Sequence, residues 1–433
     1  MGANTRWHAR CDVHTMLHDH KQFLAPAVPL RRESVLTWIT GVICLALIGL
    51  LAARGIWREP AGVSSYGALA DAFIHGRLFV EACPEIDCAV FNGRTYIIFP
   101  PLPAVLLTPF VAITGLAAFK GAVALAALLV AVALYIWRRM FEAMNIERST
   151  ANWLVAAIAF SSPLFYVVMK SNGAWFFAQS VGFLMTTLAL ASIILWRNLL
   201  LACVFVGLGF LCRQMLIFYP LFLLLLAMSP EERLFKPSVA RIKSVAIAAL
   251  PVLAALAIIF AYNHARFGAP LDTGYGYISN PGSTDYITRR LQDYGLFSVH
   301  YVLFNLYHLL LQGFHAEFDA VHRVKLIGID WNGAALLVAC PWLALAFYMR
   351  FDRIAAAGLV VVGVIAGITL FYHSNGYAQI GTMRYALDWL PIIFVLMARS
   401  VKPEAFRALP LLVTIAIAMN TLSIATSIFA AGR

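Results

Sequence analysis

The sequence predicts an all-α fold, a polytopic membrane bundle of about 11 transmembrane helices with interfacial helices in the first outer loop. Three observations predict it. Hydrophobic residues make up 62% of the 433-residue chain. Charged residues make up 12%, against about 25% in a typical soluble domain. The mean hydropathy is +0.81, and the apolar residues fall in runs long enough to cross a bilayer. Together these exclude a disordered chain and an ordinary water-soluble globule.

Residues 1–34 form a polar arm without the signal-peptide order of basic head, apolar core and small-residue cleavage site. The transmembrane domain is 35–433, and its first span is 35–53. A polar loop follows. The run from Phe99-Pro100-Pro101-Leu102-Pro103 to Gly115 is too short for a span and reads as an interfacial or re-entrant helix. Further spans are expected at 116–137, 151–168, 174–195, 199–212, 214–228, 244–262, 333–349, 354–372, 386–398 and 408–430. Between them, 263–332 is a polar excursion. Its apolar part, 301–314, carries Asn305, His308 and Gln312 and packs at the membrane surface or in the bundle.

The net charge of +11 would suggest nucleic acid in a soluble protein. Here it orients the chain, because Lys and Arg accumulate in cytoplasmic loops. With the N-terminus in the cytoplasm, segments 1–34, 138–150, 196–198, 229–243, 350–353 and 399–407 hold 18 of the 32 basic residues. The outer face then carries 54–115, 169–173, 213, 263–332 and 373–385. Twelve of the 21 acidic residues fall there or at its membrane edge, so polar chemistry is expected on that side. Cys44, Cys203, Cys212 and Cys340 read as small core residues. Cys83 and Cys88 share one polar loop and form a bridge if that loop faces an oxidising compartment. His14, His18 and His20 on the arm show no enclosed metal site, and no metal spacing emerges elsewhere.

In the first outer loop, helical spacing from Tyr66 to Phe73 predicts a short amphipathic helix ending at Gly76. Asn92-Gly93 is a strong turn dipeptide. Asp87 and Arg94 flank it and are expected to converge. A carboxylate that accepts a proton and a guanidinium that grips phosphate suit transfer from a lipid phosphate. The competing role for Asp87 is to hold the turn or pair with Arg94.

The loop reads Tyr66-x-x-x-Ala70, Gly76-Arg77-Leu78, Asp87-x-x-x-x-x-Gly93-Arg94-x-Tyr96, then Phe99-Pro100-Pro101-Leu102-Pro103. Later come Ala159-Phe160-Ser161-Ser162-Pro163-Leu164-Phe165-Tyr166, Tyr262-Asn263 with Phe267-Gly268-Ala269-Pro270 and Gly274-Tyr275, and Gly381-Thr382-Met383-Arg384-Tyr385 before an apolar run with Pro391. In order and spacing, over about residues 35–400, this resembles the bacterial GT-C membrane glycosyltransferases related to the protein mannosyltransferase and lipid A aminoarabinose transferase families. The resemblance implies a GT-C bundle in the bacterial inner membrane with its active face periplasmic or extracellular. It implies inverting transfer from a polyprenyl-phosphate sugar to a glycolipid, glycan or protein acceptor. No nucleic acid and no required cofactor are implied.

The resemblance also implies an acidic base in the first outer loop, usually just before the Tyr-x-x-x-Ala helix. This sequence departs there, with Ala61-Gly62-Val63-Ser64-Ser65. The candidates are Asp87 first, Glu59 second and Asp71 third. Arg94, Lys170, Arg213 and Arg384 are candidates for the donor phosphate. Arg213 calls for either a lipid phosphate or a structural carboxylate, and Lys170 either snorkels or meets the phosphate. Arg384 and Asp388 form an intrahelical pair, or Asp388 aims Arg384 at a phosphate. Tyr66, Tyr96, Asp272, Tyr275 and Asp388 are the sugar or acceptor candidates. The tyrosines of 275–294 also suit an aromatic belt. A transporter or flippase is the rival class, but no inverted repeat is evident. A non-catalytic binder of a lipid-linked sugar is the other.

Overall fold

The computed structural model describes residues 42, 46, 48–50, 52–228, 238–278, 286–330, 332–374 and 382–431, with side chains to 426. The arm 1–34, most of the first span, Arg233, Lys236 and Asp285 lie outside the described residues. The outer-loop helix is α1 (Ser65–Ile74). The hairpin β1 (Cys88–Phe91) and β2 (Arg94–Ile97) and the helix α2 (Leu102–Thr114) follow. The bundle continues with α3 (Ala122–Ala143), α4 (Arg148–Phe160), α5 (Leu164–Met169), α6 (Ala174–Ile194), α7 (Leu199–Phe210), α8 (Tyr219–Ala227) and α9 (Val239–Phe267). The excursion contributes α10 (Tyr286–Tyr294), α11 (Val302–Leu310) and a second hairpin, β3 (Ala316–Phe318) with β4 (Leu326–Ile329). The chain ends with α12 (Leu336–Ala339), α13 (Arg353–Phe371), α14 (Leu390–Ser400) and α15 (Leu409–Ala431).

The protein is a multi-pass helical membrane protein. Among the described residues, five helical segments are long and apolar enough to cross a bilayer: α3, α6, α9, α13 and Pro403–Thr426. The other described spans are shorter or broken. The expected 151–168 is split at Ser161-Ser162-Pro163, where Ser162 Oγ donates to the Ile158 carbonyl and accepts from the Leu164 amide. The expected 333–349 is a short α12 followed by a 3₁₀ helix from Pro341 to Tyr348. Both breaks occur at proline, which lacks the amide proton an α-helix needs. The carbonyls around them stay satisfied: Trp342 Nε1 donates to Ser161 O at 2.9 Å, and Asn420 Nδ2 donates to Ala339 O at 3.1 Å.

Helix α6 is the axis of the bundle. Its most apolar window is 89% buried, against 17% for α9, which lies at the periphery. Helix α9 crosses α7 at Gly207, where a Cβ would stand 2.8 Å from the Pro251 carbonyl oxygen. Only glycine permits that approach. In the excursion, Asn305 of α11 donates to the carbonyls of Leu370 and Tyr372, capping the end of α13. The stretch 301–314 therefore packs in the bundle.

Alternation along the sequence predicts 54–115, 169–173, about 213, 263–332 and 373–385 on one face, and among the described residues parts of the first loop and the excursion lie against each other and against their neighbours. Leu102 N donates to Leu211 O, Arg266 Nη1 to Ile97 O, and Ala89 pairs with Ile278 and Phe297 with Tyr372. At the other end Met349 pairs with Val401, and Arg399 binds Asp352 through two hydrogen bonds of 3.1 and 2.5 Å.

Glu59 is buried, and its carboxylate accepts from the amides of Ala122 at 2.9 Å and Val123 at 3.3 Å. It is the N-terminal cap of α3, reaching back 63 residues in sequence. Replacing Glu59 with Ala is expected to cost about 0.5–2 kcal/mol, the worth of a helix cap. Thermal melting of the purified protein measures this. Glu59→Gln keeps an acceptor oxygen and should melt closer to wild type; equal losses in both would sink the cap assignment.

Candidate active site

The site assembles where the first loop, the α7–α8 junction, the excursion and the start of α14 converge. Asp388, 1% exposed, is held by Arg213 Nε at 3.1 Å and Nη2 at 2.5 Å, and by Gln179 Nε2 at 2.8 Å. Tyr219 Oη donates to the Asp388 carbonyl at 2.9 Å. Arg213 had called for a phosphate or a carboxylate, and it has a carboxylate. The expected partnership of Asp388 with Arg384 is overtaken. Residues 384–388 form a 3₁₀ helix, in which positions four apart are turned about 120° from each other.

Arg384 is buried and lies over two rings, 5.1 Å from Phe176 and 4.8 Å from Tyr385. The Arg213 guanidinium lies 5.3 Å from the same Tyr385 ring. Tyr385 packs against Tyr372 with centroids 5.9 Å apart, and Tyr372 Oη donates to Tyr275 Oη at 3.4 Å. Tyr66 completes this collar from α1. It is fully buried, packs on Phe99 and Phe177, and lies within the electrostatic reach of Arg213, Tyr262 and Tyr275. Its hydroxyl, like that of Tyr262, has no hydrogen-bond partner among the described residues. A small cavity lies between the α4–α5 break, Thr382 and Asn420-Thr421 of α15.

The first loop holds two neighbouring carboxylates, of which Asp87 interacts electrostatically with Tyr275 of the collar. Asp87 is half-buried at φ 66°, just before β1. Glu85 accepts from Ser65 N at 3.1 Å and Ala174 N at 3.3 Å, so it caps α1 and α6 together. Burial pushes the Glu85 carboxyl above the usual glutamate range, against the hydrogen bonds from Ser65 and Ala174, and the Asp87 charge adds to the rise. Burial also raises the Tyr275 phenol, with a contribution from Asp87. The loop is closed by a disulfide between Cys83 and Cys88.

The remaining sequence candidates lie elsewhere. Asp87 and Arg94 do not flank one turn. Asn92-Gly93 is the two-residue turn, both residues at positive φ, and Arg94 pairs with Phe91 beside it. Asp87 precedes the other end of the ribbon, four residues before Phe91, or about 13 Å at strand rise. Arg94 is exposed and stacks on Phe79 at 4.6 Å. Lys170 is exposed after α5. Asp71 lies 3.6 Å from both His75 and Arg77 on the polar side of α1. Tyr96 is buried with Ala89, Ile98 and Phe267 in a small apolar cluster. Asp272 accepts from Gly274 N at 2.9 Å and Tyr277 Oη at 2.8 Å, which ties down its own loop. Glu85, Gln179, Tyr219 and Tyr372 were not singled out from sequence, and Tyr262 and Tyr385 stood there only as motif residues without a site role. A lone amide within an apolar span was the visible signal for Gln179. Among the described residues no group of three His, Cys, Asp or Glu side chains is placed to hold a metal.

No family model and no curated protein matches the chain. Among solved structures, it is similar to ArnT from Cupriavidus metallidurans. The crystal structure in the apo state is 12% identical with a TM-score of 0.45. The one bound to undecaprenyl phosphate is 14% identical with the same TM-score. Each match covers 84% of this chain and 60% of the ArnT chain, so this chain spans less than two thirds of that protein's length.

Removing one partner of the Arg213–Asp388 pair leaves a buried charge, so Asp388→Asn and Arg213→Met should each cost about 3–5 kcal/mol. The double change Arg213→Met with Asp388→Leu should recover much of that in a thermal melt. Additive losses would show that the pair is not a unit. Glu85 carries a pH signature. Its carboxyl is raised in the folded state, so its stabilising contribution is full below the usual glutamate range and is lost as pH rises through its raised value. Glu85→Gln should flatten that part of the stability–pH curve; an unchanged slope would assign it to another group.

Proposed function

We propose that the protein is an inverting glycosyltransferase that moves a sugar from a polyprenyl-phosphate donor to a lipid, glycan or protein acceptor. The observation that carries this reading is the collar itself. Two arginines share the Tyr385 ring, Tyr372, Tyr275 and Tyr66 lie within electrostatic reach of Arg213, and the half-buried Asp87 interacts electrostatically with Tyr275. Cations beside aromatic faces suit a phosphate next to a sugar ring, whose hydroxyls need donors and whose C–H faces need apolar cover. The order of motifs around the collar resembles the GT-C enzymes.

Arg384 is assigned the donor phosphate. Arg213 is already neutralised by Asp388, so its role is to hold that end of the bundle and to brace Tyr385. In the reaction, Asp87 takes the proton from the acceptor hydroxyl as its oxygen attacks the anomeric carbon. The bond from that carbon to the phosphate oxygen breaks on the opposite face, the configuration inverts, and the phosphate departs with its charge beside Arg384. Phosphate is already a competent leaving group, so the protein supplies position, charge and a base. The positive-inside bias of the loops supports a site on the outer face of the inner membrane, with the N-terminus cytoplasmic.

The test is reconstitution in lipid vesicles with radiolabelled polyprenyl-phosphate sugars and candidate acceptors. Asp87→Asn is expected to lower turnover roughly 10²–10⁴-fold, the usual worth of a general base. Arg384→Ala should raise the donor KM, while Asp71→Asn and Arg94→Ala retain activity. Full turnover in Asp87→Asn would move the base to another residue.

A further inference from the structure

We infer that the Cys83–Cys88 disulfide is a positioning device for the reacting carboxylate, so that turnover depends on its being oxidised. This rests on the glycosyltransferase reading and adds a requirement to it. The bridge closes the ring Cys83-Pro84-Glu85-Ile86-Asp87-Cys88, with Cα atoms 6.0 Å apart. Glu85, which docks on the starts of α1 and α6, and Asp87, which interacts electrostatically with Tyr275 of the collar, are both inside that ring.

Each is held in a state that an open chain would readily leave. Glu85 docks the ring on the first turns of α1 and α6 through Ser65 N and Ala174 N, although burial works against its charge. Asp87 sits at φ 66°, in the left-handed region that side chains other than glycine adopt at a cost. The two carboxylates are two residues apart and interact electrostatically. Opening the bridge returns conformational freedom to all six residues, and the strained Asp87 and the crowded Glu85 gain most from it.

The far end of the ring is well anchored. Cys88 is the first residue of β1 and is buried. The hairpin is in turn pinned to α9 by Arg266, which donates to Ile97 O at 2.8 Å. Cys83 is exposed, so a reductant reaches the bridge from that side. A dithiol attacks the Cys83 sulfur and the S–S bond breaks. Two electrons and two protons pass to the pair, leaving two thiols on the protein and a disulfide on the reductant.

The experiment uses the full chain in lipid vesicles with a polyprenyl-phosphate sugar that it turns over, with and without dithiothreitol. A Cys83→Ser/Cys88→Ser double variant runs in parallel. Reduction is expected to lower kcat by roughly tenfold or more, with donor KM little changed, because a displaced base costs rate rather than donor binding. Reoxidation should restore the rate. The double variant should sit at the reduced level and ignore the reductant. Amide hydrogen exchange gives a readout independent of turnover: peptides covering Ser65–Ala68 and Ala174–Phe177 should exchange faster after reduction. An unchanged kcat in reduced wild type overturns the inference, as does unchanged exchange at those helix starts. If oxidised wild type turns over no such sugar, the glycosyltransferase reading fails, and the exchange data alone then decide whether the bridge positions the loop.

Discussion

A guanidinium and a carboxylate removed from water each lose several kcal/mol of hydration, and only close, well-satisfied pairing returns it. The Arg213–Asp388 pair imposes that condition on the whole end of the bundle. Asp388 oxygens also accept from Gln179 on α6, and Tyr219 on α8 donates to the Asp388 backbone. Helix α6, the α7–α8 junction and the start of α14 must therefore come to one point. The pair does not act alone on α14. Arg399 at its other end binds Asp352, the residue that caps α13. A helix of only 11 residues is thus fixed at both ends by ion pairs, and its length of about 16 Å sets the separation of the two polar layers there.

The same economy governs the first loop. It holds few acids, and several of them do structural work. Glu59 caps α3, Glu85 caps α1 and α6, and Asp71 balances Arg77. A carboxylate at a helix start satisfies orphan amides and meets the positive end of the helix dipole. Asp87 interacts electrostatically with Tyr275, and the disulfide ring that carries it is fastened by Glu85 beside it. Structural capping and the proposed chemistry are therefore coupled within six residues.

Much of the fold was legible because it depends on short-range patterns. Apolar runs located the spans and Asn92-Gly93 located the hairpin turn, whereas the breaks at Ser161-Ser162-Pro163 and Cys340-Pro341 fall inside two stretches expected as continuous spans. The candidate site was legible in part. Tyr66, Tyr275, Arg213, Arg384 and Asp388 do gather there, whereas Arg94, Tyr96 and Asp272 do not. The errors share a cause. The Asp87–Arg94 pairing assumed that nearness in sequence carries across a hairpin, but the ribbon places them at opposite ends. The Arg384–Asp388 pairing assumed α-helical spacing in a segment that winds as 3₁₀. Glu59 was weighed as a base because its partners, the amides of Ala122 and Val123, lie more than 60 residues away.

By itself, the sequence determined the solvent this protein folds in and the positions of most of its helices. Hydrophobicity and charge act through composition and local period, and both are written along the chain. Only the tertiary structure decided which carboxylate caps a helix, which one neutralises Arg213 and which one reaches the tyrosines. Those outcomes depend on distances between residues up to 209 apart in the chain, as Gln179 and Asp388 are. Buried polar groups choose partners by geometry that exists only after the helices have packed.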